Sequence, residues 1–464
     1  MLNFGGPGLT ARETLANLAS LLQALCGGRY NLIAFDPRGT GNTVPFTCYD
    51  RAYWMQTFFE DPIAPNDPDE IPLGKLWSRG SIVSNLCAKK HSETGRMIGT
   101  TFVARDIVRV AEALGEDGLV RYWGFSYGST LGATLISMFP DKVDKVILDG
   151  VQNPHEYYNA FADYEEWAQS DQVFSGIFQA CAANPDQCSL ARPGKSAADL
   201  ESSVWDLFET LKRRPIPVGT LTLDNNVLRR LVSGALYTTT AWKNLTDVFD
   251  MLVSGNISEQ RVLDSMGGAP SISDNDLDSN INQSAASIMP FFGIHCSDRA
   301  ARAQTFDNVL PSIHRLFQIS KIMGGVVSLP TITCSQWKLE PKERYRGDFH
   351  VRPRRPVLLV GNTYDGQTPL ASARNVSSGF KDSVVLEVNG YGHTSLNLPS
   401  MCALKTVSSY WLNGTLPQPG TVCEVDAPPF SNITWNDLLK NSSKEEKRHL
   451  KRNADHMYPV AFNP

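Results

Sequence analysis

The run Trp123-Gly124-Phe125-Ser126-Tyr127-Gly128 sets a serine between two glycines at GxSxG spacing, after a short apolar segment at 120–123 and before a helical pattern reaching about residue 138. That context predicts a serine held at a sharp strand-to-helix turn, where side chains at the glycine positions would collide with neighbouring backbone. Without the context the match reads as a chance Gly/Ser turn. A serine hydroxyl is a poor nucleophile near neutral pH and needs a base to take its proton and later return it to a leaving group. Of eight histidines, His393 stands in the small-residue loop 389–393, directly after the apolar strand pattern 384–388. His350, His449 and His456 sit in charged or tail segments and read as surface residues. Asp365 follows a buried-strand run ending at Val360 through Gly361-Asn362-Thr363-Tyr364, on the same predicted sheet edge. A carboxylate there would fix the imidazole tautomer and stabilise the imidazolium; the competing reading is an aspartate capping the turn before Gly366. An oxyanion needs two N–H donors, normally the residue after the nucleophile and a glycine-rich loop. Tyr127 and Gly6, the latter in Gly5-Gly6-Pro7-Gly8, fill those positions, although that loop could also be only a tight turn.

The elements that must position these residues alternate. A strand end at Leu2 leads through the glycine-rich loop into a helical pattern at 14–25 and an apolar strand pattern at 30–35. A helix at 101–114, a strand at 120–123, the serine turn, another helix and a strand at 145–148 follow. Strands alternating with helices predict an α/β fold with a mostly parallel sheet and right-handed crossovers. The alternation lapses over residues 151–355, where helical segments such as 198–211 and 228–236 mix with aromatic patches and polar loops. This stretch reads as an inserted, mainly helical cap. The organisation is then core at 1–150, cap at 151–355, core again at 356–423, with strands at 356–361 and 384–388 and a helix at 399–412, and a charged extension at 424–464. Residues 441–455, rich in Lys, Glu and Arg, read as a solvated helix or disordered tail.

A chain of 464 residues, 42% hydrophobic, can bury a large core, and its formal charge of -5 favours neither a nucleic-acid backbone nor an anionic membrane surface. No stretch is long and apolar enough to span a bilayer. Nine cysteines include four pairs at plausible spacing, Cys48 with Cys87, Cys181 with Cys188, Cys296 with Cys334 and Cys402 with Cys423, leaving Cys26 unpaired. Scattered buried thiols are the alternative. No clustered His/Cys spacing suggests a metal, and no cofactor is expected. Seven glycosylation sequons, at Asn244, Asn256, Asn282, Asn375, Asn413, Asn432 and Asn441, join the cysteines in pointing to a secretory lumen. Residues 1–10 have neither the basic nor the apolar region of a secretion signal.

Read together, GGPG at 5–8, FDPRGTGNT at 35–43, WGFSYGS at 123–129, ILDGVQNP at 147–154, NTYDGQTP at 362–369 and GYGHTSL at 390–396 resemble the proline iminopeptidase and tripeptidyl aminopeptidase family of serine peptidases. The region from Cys296-Ser297-Asp298 through Cys334 to the Asp365 loop is similar to the C-terminal part of the tripeptidyl type. The resemblance covers all but about the last 40 residues. It implies an α/β-hydrolase fold, in which Ser126, Asp365 and His393 stand in the expected chain order. It further implies an exopeptidase that releases short peptides or single residues from a free N-terminus through an acyl-enzyme, without metal or cofactor. In such peptidases acids of the cap bind the substrate α-amine; Asp163, Glu165 and Glu166 are the candidates here, and a solvated acidic helix face is the competing reading. The full fold of the family has strands ahead of GGPG. The expectation is therefore that the first strands and a secretion signal are missing, that residues 30–35 form an exposed apolar sheet edge, and that this form is poorly soluble or inactive unless compensated. An esterase or lactonase acting on a small metabolite would use the same three residues, and a catalytically silent binding protein on the same scaffold is the third reading. Oligomeric state is not legible.

Overall fold

Six strands form one sheet in which every neighbouring pair is parallel, in the order β1 to β6: β1 (Leu2–Asn3), β2 (Val120–Phe125), β3 (Val143–Asp149), β4 (Leu358–Tyr364), β5 (Val384–Tyr391) and β6 (Val422–Glu424). The computed structural model describes residues 1–49, 70–218, 221–265 and 288–441; the expected tail at 441–455, His449, His456 and Asn282 lie outside the described residues or at their last position. The strands at the centre read as near-continuous apolar runs because helices cover both faces. Alternation along β2 shows this: Tyr122 enters one buried cluster, with Val103, Ile107 and Leu131, while Trp123 and Phe125 enter another, with Leu22, Leu25, Val407 and Trp411. The first face is covered by the helices Thr100–Ala113, Tyr127–Met138 and Leu370–Gly379, the second by Ala11–Leu25 and Met401–Asn413.

Residues 30–35 do not form the strand that their apolar run predicts. Leu2 N–H donates to the Ile33 carbonyl at 2.8 Å, but β1 is only two residues long and offers too few groups for a parallel ladder. Residues 32–35 lie half-buried beside it.

Between β3 and β4 the chain builds a third buried cluster, made mainly by helices Ser170–Ala183, Ala197–Arg213, Asn225–Ala235, Trp242–Ser254 and Phe306–Ile319. Their sequences carry their own boundaries. Helix Ala197–Arg213 begins on a reciprocal Ser196/Asp199 capping box, ends on Lys212 and Arg213, and buries Leu200, Val204, Leu207, Phe208 and Leu211, a stripe at three-, four- and one-residue steps. Helix Glu70–Lys90 joins the two halves, since Leu73 and Leu76 pack in this cap cluster while Val83 and Cys87 pack beneath the sheet. Residues 289–296 and 334–339 also contribute to the cluster beneath the sheet.

All four cysteine pairs expected from spacing are disulfides, Cys48–Cys87, Cys181–Cys188, Cys296–Cys334 and Cys402–Cys423. Cys26 is a buried free thiol, and burial pushes its pKa up to about 12, so it is a packing residue rather than a nucleophile. Among the described residues no helix is long and apolar enough to cross a membrane, and no group of His, Cys, Asp and Glu is arranged to hold a metal.

Candidate active site

Ser126 follows β2 directly and precedes helix Tyr127–Met138, with φ 56° and ψ -126°, a conformation that L residues rarely adopt. The flanking glycines make the turn possible. A Cβ on Gly124 would lie 2.0 Å from the Gly128 carbonyl oxygen, and one on Gly128 would lie 2.6 Å from that of Asn3. The strained turn is held by Ser126 N–H donating to the Asp149 carbonyl at 2.9 Å and by Ser129 Oγ donating to the Ser126 carbonyl at 2.6 Å. Tyr127 is the first residue of the helix, so its N–H is one of the donors that a helix start leaves without an internal acceptor. Its buried ring is fixed from behind by the Thr100 hydroxyl at 2.5 Å. The glycine-rich loop passes over the same turn: a Cβ on Gly5 would meet Ser126 Cβ at 2.8 Å and Tyr127 N at 3.2 Å, and Gly6 lines the cavity that holds Ser126.

Asp365 follows β4 and is fully buried. Its carboxylate collects donors from Gln367 N–H (2.9 Å), Thr368 N–H (2.9 Å), Thr368 Oγ1 (3.0 Å), Thr394 N–H (3.2 Å) and His393 Nδ1 (3.0 Å). Nδ1 of His393 faces only oxygen acceptors, Asp365 and the Thr368 hydroxyl at 3.1 Å, which places its proton there and leaves Nε2 as the basic nitrogen. That Nε2 is buried and has no hydrogen-bond partner among the described residues. The histidine loop is tied from every side: Asn362 Nδ2 donates to the carbonyls of Gly392 and Thr394, Asn397 Nδ2 to that of His393, and His393 N–H to the Tyr237 carbonyl of the cap. The Tyr237 ring stands edge-on to the imidazole at 5.1 Å. Gly150, next to the Asp149 carbonyl that holds Ser126, brings the two loops together: a Cβ there would sit 3.3 Å from His393 Cε1.

A cavity of about 260 Å3 opens beside Ser126. One wall is apolar, with Met323, Val326, Val327 and Pro330; the other carries Asp163, Glu166, His295 and Arg299. The three acids named from sequence part company here. Asp163 is paired with the buried Arg299 guanidinium at 2.5 Å. Glu166 is buried and receives Gln152 Nε2 at 2.9 Å; burial, and then the neighbouring Asp163, hold its pKa well above the ordinary carboxylate range despite the Gln152 bond and Arg299. Glu165 turns away from the cavity to Asn375 and Asn153 on the core side. A solvated acidic face therefore describes none of the cavity acids. Burial, with Arg299 adding to it, lowers His295 to about 3, so its ring is neutral at ordinary pH.

His350 is exposed, as read from sequence. Nothing in the sequence marks Thr368, Asn362, Gln152, His295 and Arg299 as site residues: a threonine three residues after an acid or an arginine in a cap helix region carries no pattern of its own. A larger cavity, about 490 Å3 and lined by Arg29, Tyr30, Arg121 and Lys145, lies at the β1 side of the sheet and is lined by none of Ser126, Asp365 and His393.

Two family models match successive parts of the chain, one described as alpha/beta hydrolase fold over residues 4–193 and one described as TAP-like protein over residues 320–423. The chain is similar to the tripeptidyl aminopeptidase of Streptomyces lividans, 26% identical over 92% of this chain and 77% of that protein. It is similar as well to the serine protease Hip1 of Mycobacterium tuberculosis, 25% identical over 91% of this chain and 80% of that protein. A carboxylesterase B of Mycobacterium tuberculosis matches at 25% over 91% of this chain and 79% of its own length. The chain thus has the α/β-hydrolase fold, and the resemblance to tripeptidyl-aminopeptidase-type serine peptidases read from its motifs is borne out over most of its length.

Proposed function

We propose that this chain is a serine exopeptidase that releases short peptides or single residues from free N-termini through an acyl-enzyme on Ser126. His393 Nε2 takes the Ser126 proton as Oγ attacks the scissile carbonyl, and returns it to the leaving amine; Asp365, with Thr368, keeps the other imidazole nitrogen protonated and stabilises the imidazolium. Tyr127 N–H and Gly6 N–H receive the oxyanion, the first reinforced by the positive end of its helix. Water then repeats the sequence on the acyl-enzyme.

The observation that carries the peptidase reading is Glu166, a buried carboxyl held by Gln152 in the same cavity as Ser126. Asp163 is already neutralised by Arg299, which leaves Glu166 as the acid able to pair with an incoming ammonium group. An arriving amine would draw the Glu166 proton off and be held by a charge-assisted bond in a low-dielectric wall. The test compares peptide amides with free and acetylated N-termini. A preference for the free amine that disappears in Glu166→Gln supports the reading; equal turnover of both by the native protein overturns it.

The apolar wall of Met323, Val326, Val327 and Pro330, together with the carboxylesterase among the similar proteins, favours an esterase acting on small acyl esters as the second reading. We also infer that the protein passes through a secretory lumen. The support is its four disulfides and the exposure of Asn244, Asn256, Asn375, Asn413 and Asn432, the described sequon asparagines whose side chains are placed. A mass loss on peptide N-glycosidase treatment of secreted protein is the expected result.

A further inference from the structure

We propose that Asp149 is a positioning residue of the hydrolytic site, a buried carboxylate that joins the loop carrying His393 to the turn carrying Ser126. The inference rests on the assignment of Ser126 as nucleophile and His393 as base. Asp149 ends β3 and is fully buried. Its backbone carbonyl accepts the Ser126 N–H at 2.9 Å. Its side chain reaches the opposite way: Oδ1 accepts Ser395 N–H at 2.8 Å, and Oδ2 accepts Ser395 Oγ at 2.5 Å with Trp123 Nε1 at 3.4 Å.

What this arrangement holds is strained. Thr394, between His393 and Ser395, has φ 61° and ψ 159°, a region that a β-branched residue enters only when its surroundings force it. Consecutive N–H groups on either side of that residue are gripped by two carboxylates from two strands: Thr394 N–H by Asp365 after β4, and Ser395 N–H by Asp149 at the end of β3. Released from Asp149, the Thr394 backbone would relax toward negative φ and carry the imbedded imidazole with it. An amide replaces the carboxylate only in part: with its oxygen on the Ser395 N–H, its NH2 can donate to the Ser395 hydroxyl but then faces the Trp123 Nε1–H, and the negative charge is lost.

A packing role alone does not explain an acid at this place. Burial raises Asp149 to about 6 in spite of its three donors and the nearby His393, so its charge at neutral pH is held at a cost that an uncharged residue would not incur. Of the groups packed against it, Trp123 from β2 and Ser395 from the histidine loop are neutral donors, and His393 is the titratable side chain whose charge acts on it; Asp365 meets the same loop one residue earlier. Asp149 and His393 thus interact electrostatically across the loop, so the charge on Asp149 is felt at the imidazole.

The test uses the full chain and a fluorophosphonate probe, which reports the reactivity of Ser126 without requiring a peptide or ester substrate. Labelling rates for the native protein, Asp149→Asn, Asp149→Ala and Ser395→Ala are measured from about pH 5 to about pH 9 beside thermal midpoints. The expected result is an Asp149→Asn protein that melts within a few degrees of the native one, labels about 10- to 100-fold more slowly, and has its acid limb moved to lower pH. Ser395→Ala, which keeps the backbone bond, loses only several-fold. Native labelling rate and acid limb in folded Asp149→Asn overturn the proposal. If that variant does not fold, Ser395→Ala decides: an unchanged rate and profile overturns it, a slowed rate at an unchanged melting point supports it. Native protein that is not labelled at Ser126 instead removes the nucleophile assignment on which the proposal stands.

Discussion

The histidine loop and the acidic wall of the cap are both buried polar clusters, and they are built on opposite terms. Around Asp365 every carboxylate oxygen is occupied, five donors converge, and the loop beyond it is pinned by Asn362, Asn397 and the Tyr237 carbonyl. Around Glu166 the protein supplies Gln152 as its hydrogen-bond donor, and the neighbouring His295 leaves Nδ1 buried without a partner among the described residues. A satisfied network rigidifies its members, whereas a half-satisfied one is an incomplete site that a ligand can complete. The Asp365 carboxylate is fully paired while His393 Nε2 and Asn362 Oδ1 beside it have no partner among the described residues; on the function proposed above, the first cluster is held for chemistry and the second is left to receive a ligand.

Predictions that could break this contrast begin with Ser126, the proposed nucleophile. Ser126→Ala should lower kcat by roughly 10^4-fold or more and abolish fluorophosphonate labelling; retained labelling at another serine would move the chemistry elsewhere. Asp365→Asn should cost about 10^3- to 10^4-fold in kcat, because the amide offers a donor to Nδ1 and favours the wrong tautomer; a drop of only a few-fold would mean that Thr368 and the backbone suffice to orient the ring. Thr368→Val should cost about 10-fold, the value of one hydrogen bond of about 1.4 kcal/mol, in kcat with little change in KM. Glu166→Gln should instead raise KM for free-amine peptides by about 10- to 100-fold while leaving ester turnover near native, and a uniform loss on both substrates would erase the distinction between the clusters.

The smallest effect sharpens the contrast through pH. Burial raises Glu166, so its charged form in the resting protein appears only as pH rises; KM for free-amine peptides should fall with rising pH until the substrate amine itself deprotonates near about 8, and KM for esters should not follow. The Asp298 carboxyl offers a stability counterpart. It is buried beneath the cap against Thr100 and Tyr157 and raised to about 6 by burial. An acid whose folded pKa is raised contributes stability that is present below its unfolded value and lost as pH rises through the folded one, here from about 4 to about 6. The melting point of Asp298→Asn relative to native protein should therefore improve by a few degrees between about pH 4.5 and about pH 7.5, read by calorimetry.

The same contrast explains what was legible in the sequence. Ser126, Asp365 and His393 each stand in a short loop directly after an apolar run, and a parallel sheet delivers such loops to one edge, so their placement on that one edge follows from pattern and chain order. Asp149 shares that edge but closes its own apolar run, where an acid reads as an ordinary turn residue. The cap gave up its helices and not its wall: periodicity marks the buried stripe of each helix without saying which helices meet, and Arg299 finds Asp163 across 136 positions. Residues 30–35 show the opposite failure, an apolar run with strand composition whose neighbour β1 is too short to pair with it.

The Cys296–Cys334 bridge, across a sequence separation of 38, closes a ring that carries Arg299 at one end and Met323, Val326, Val327 and Pro330 near the other. The cation that neutralises Asp163 and the apolar side of the cavity therefore travel on one covalent circuit, while Asp163, Glu166 and Tyr237 belong to chain outside it. Any guest bound in this cavity therefore touches both a ring closed by that bridge and chain that lies outside it.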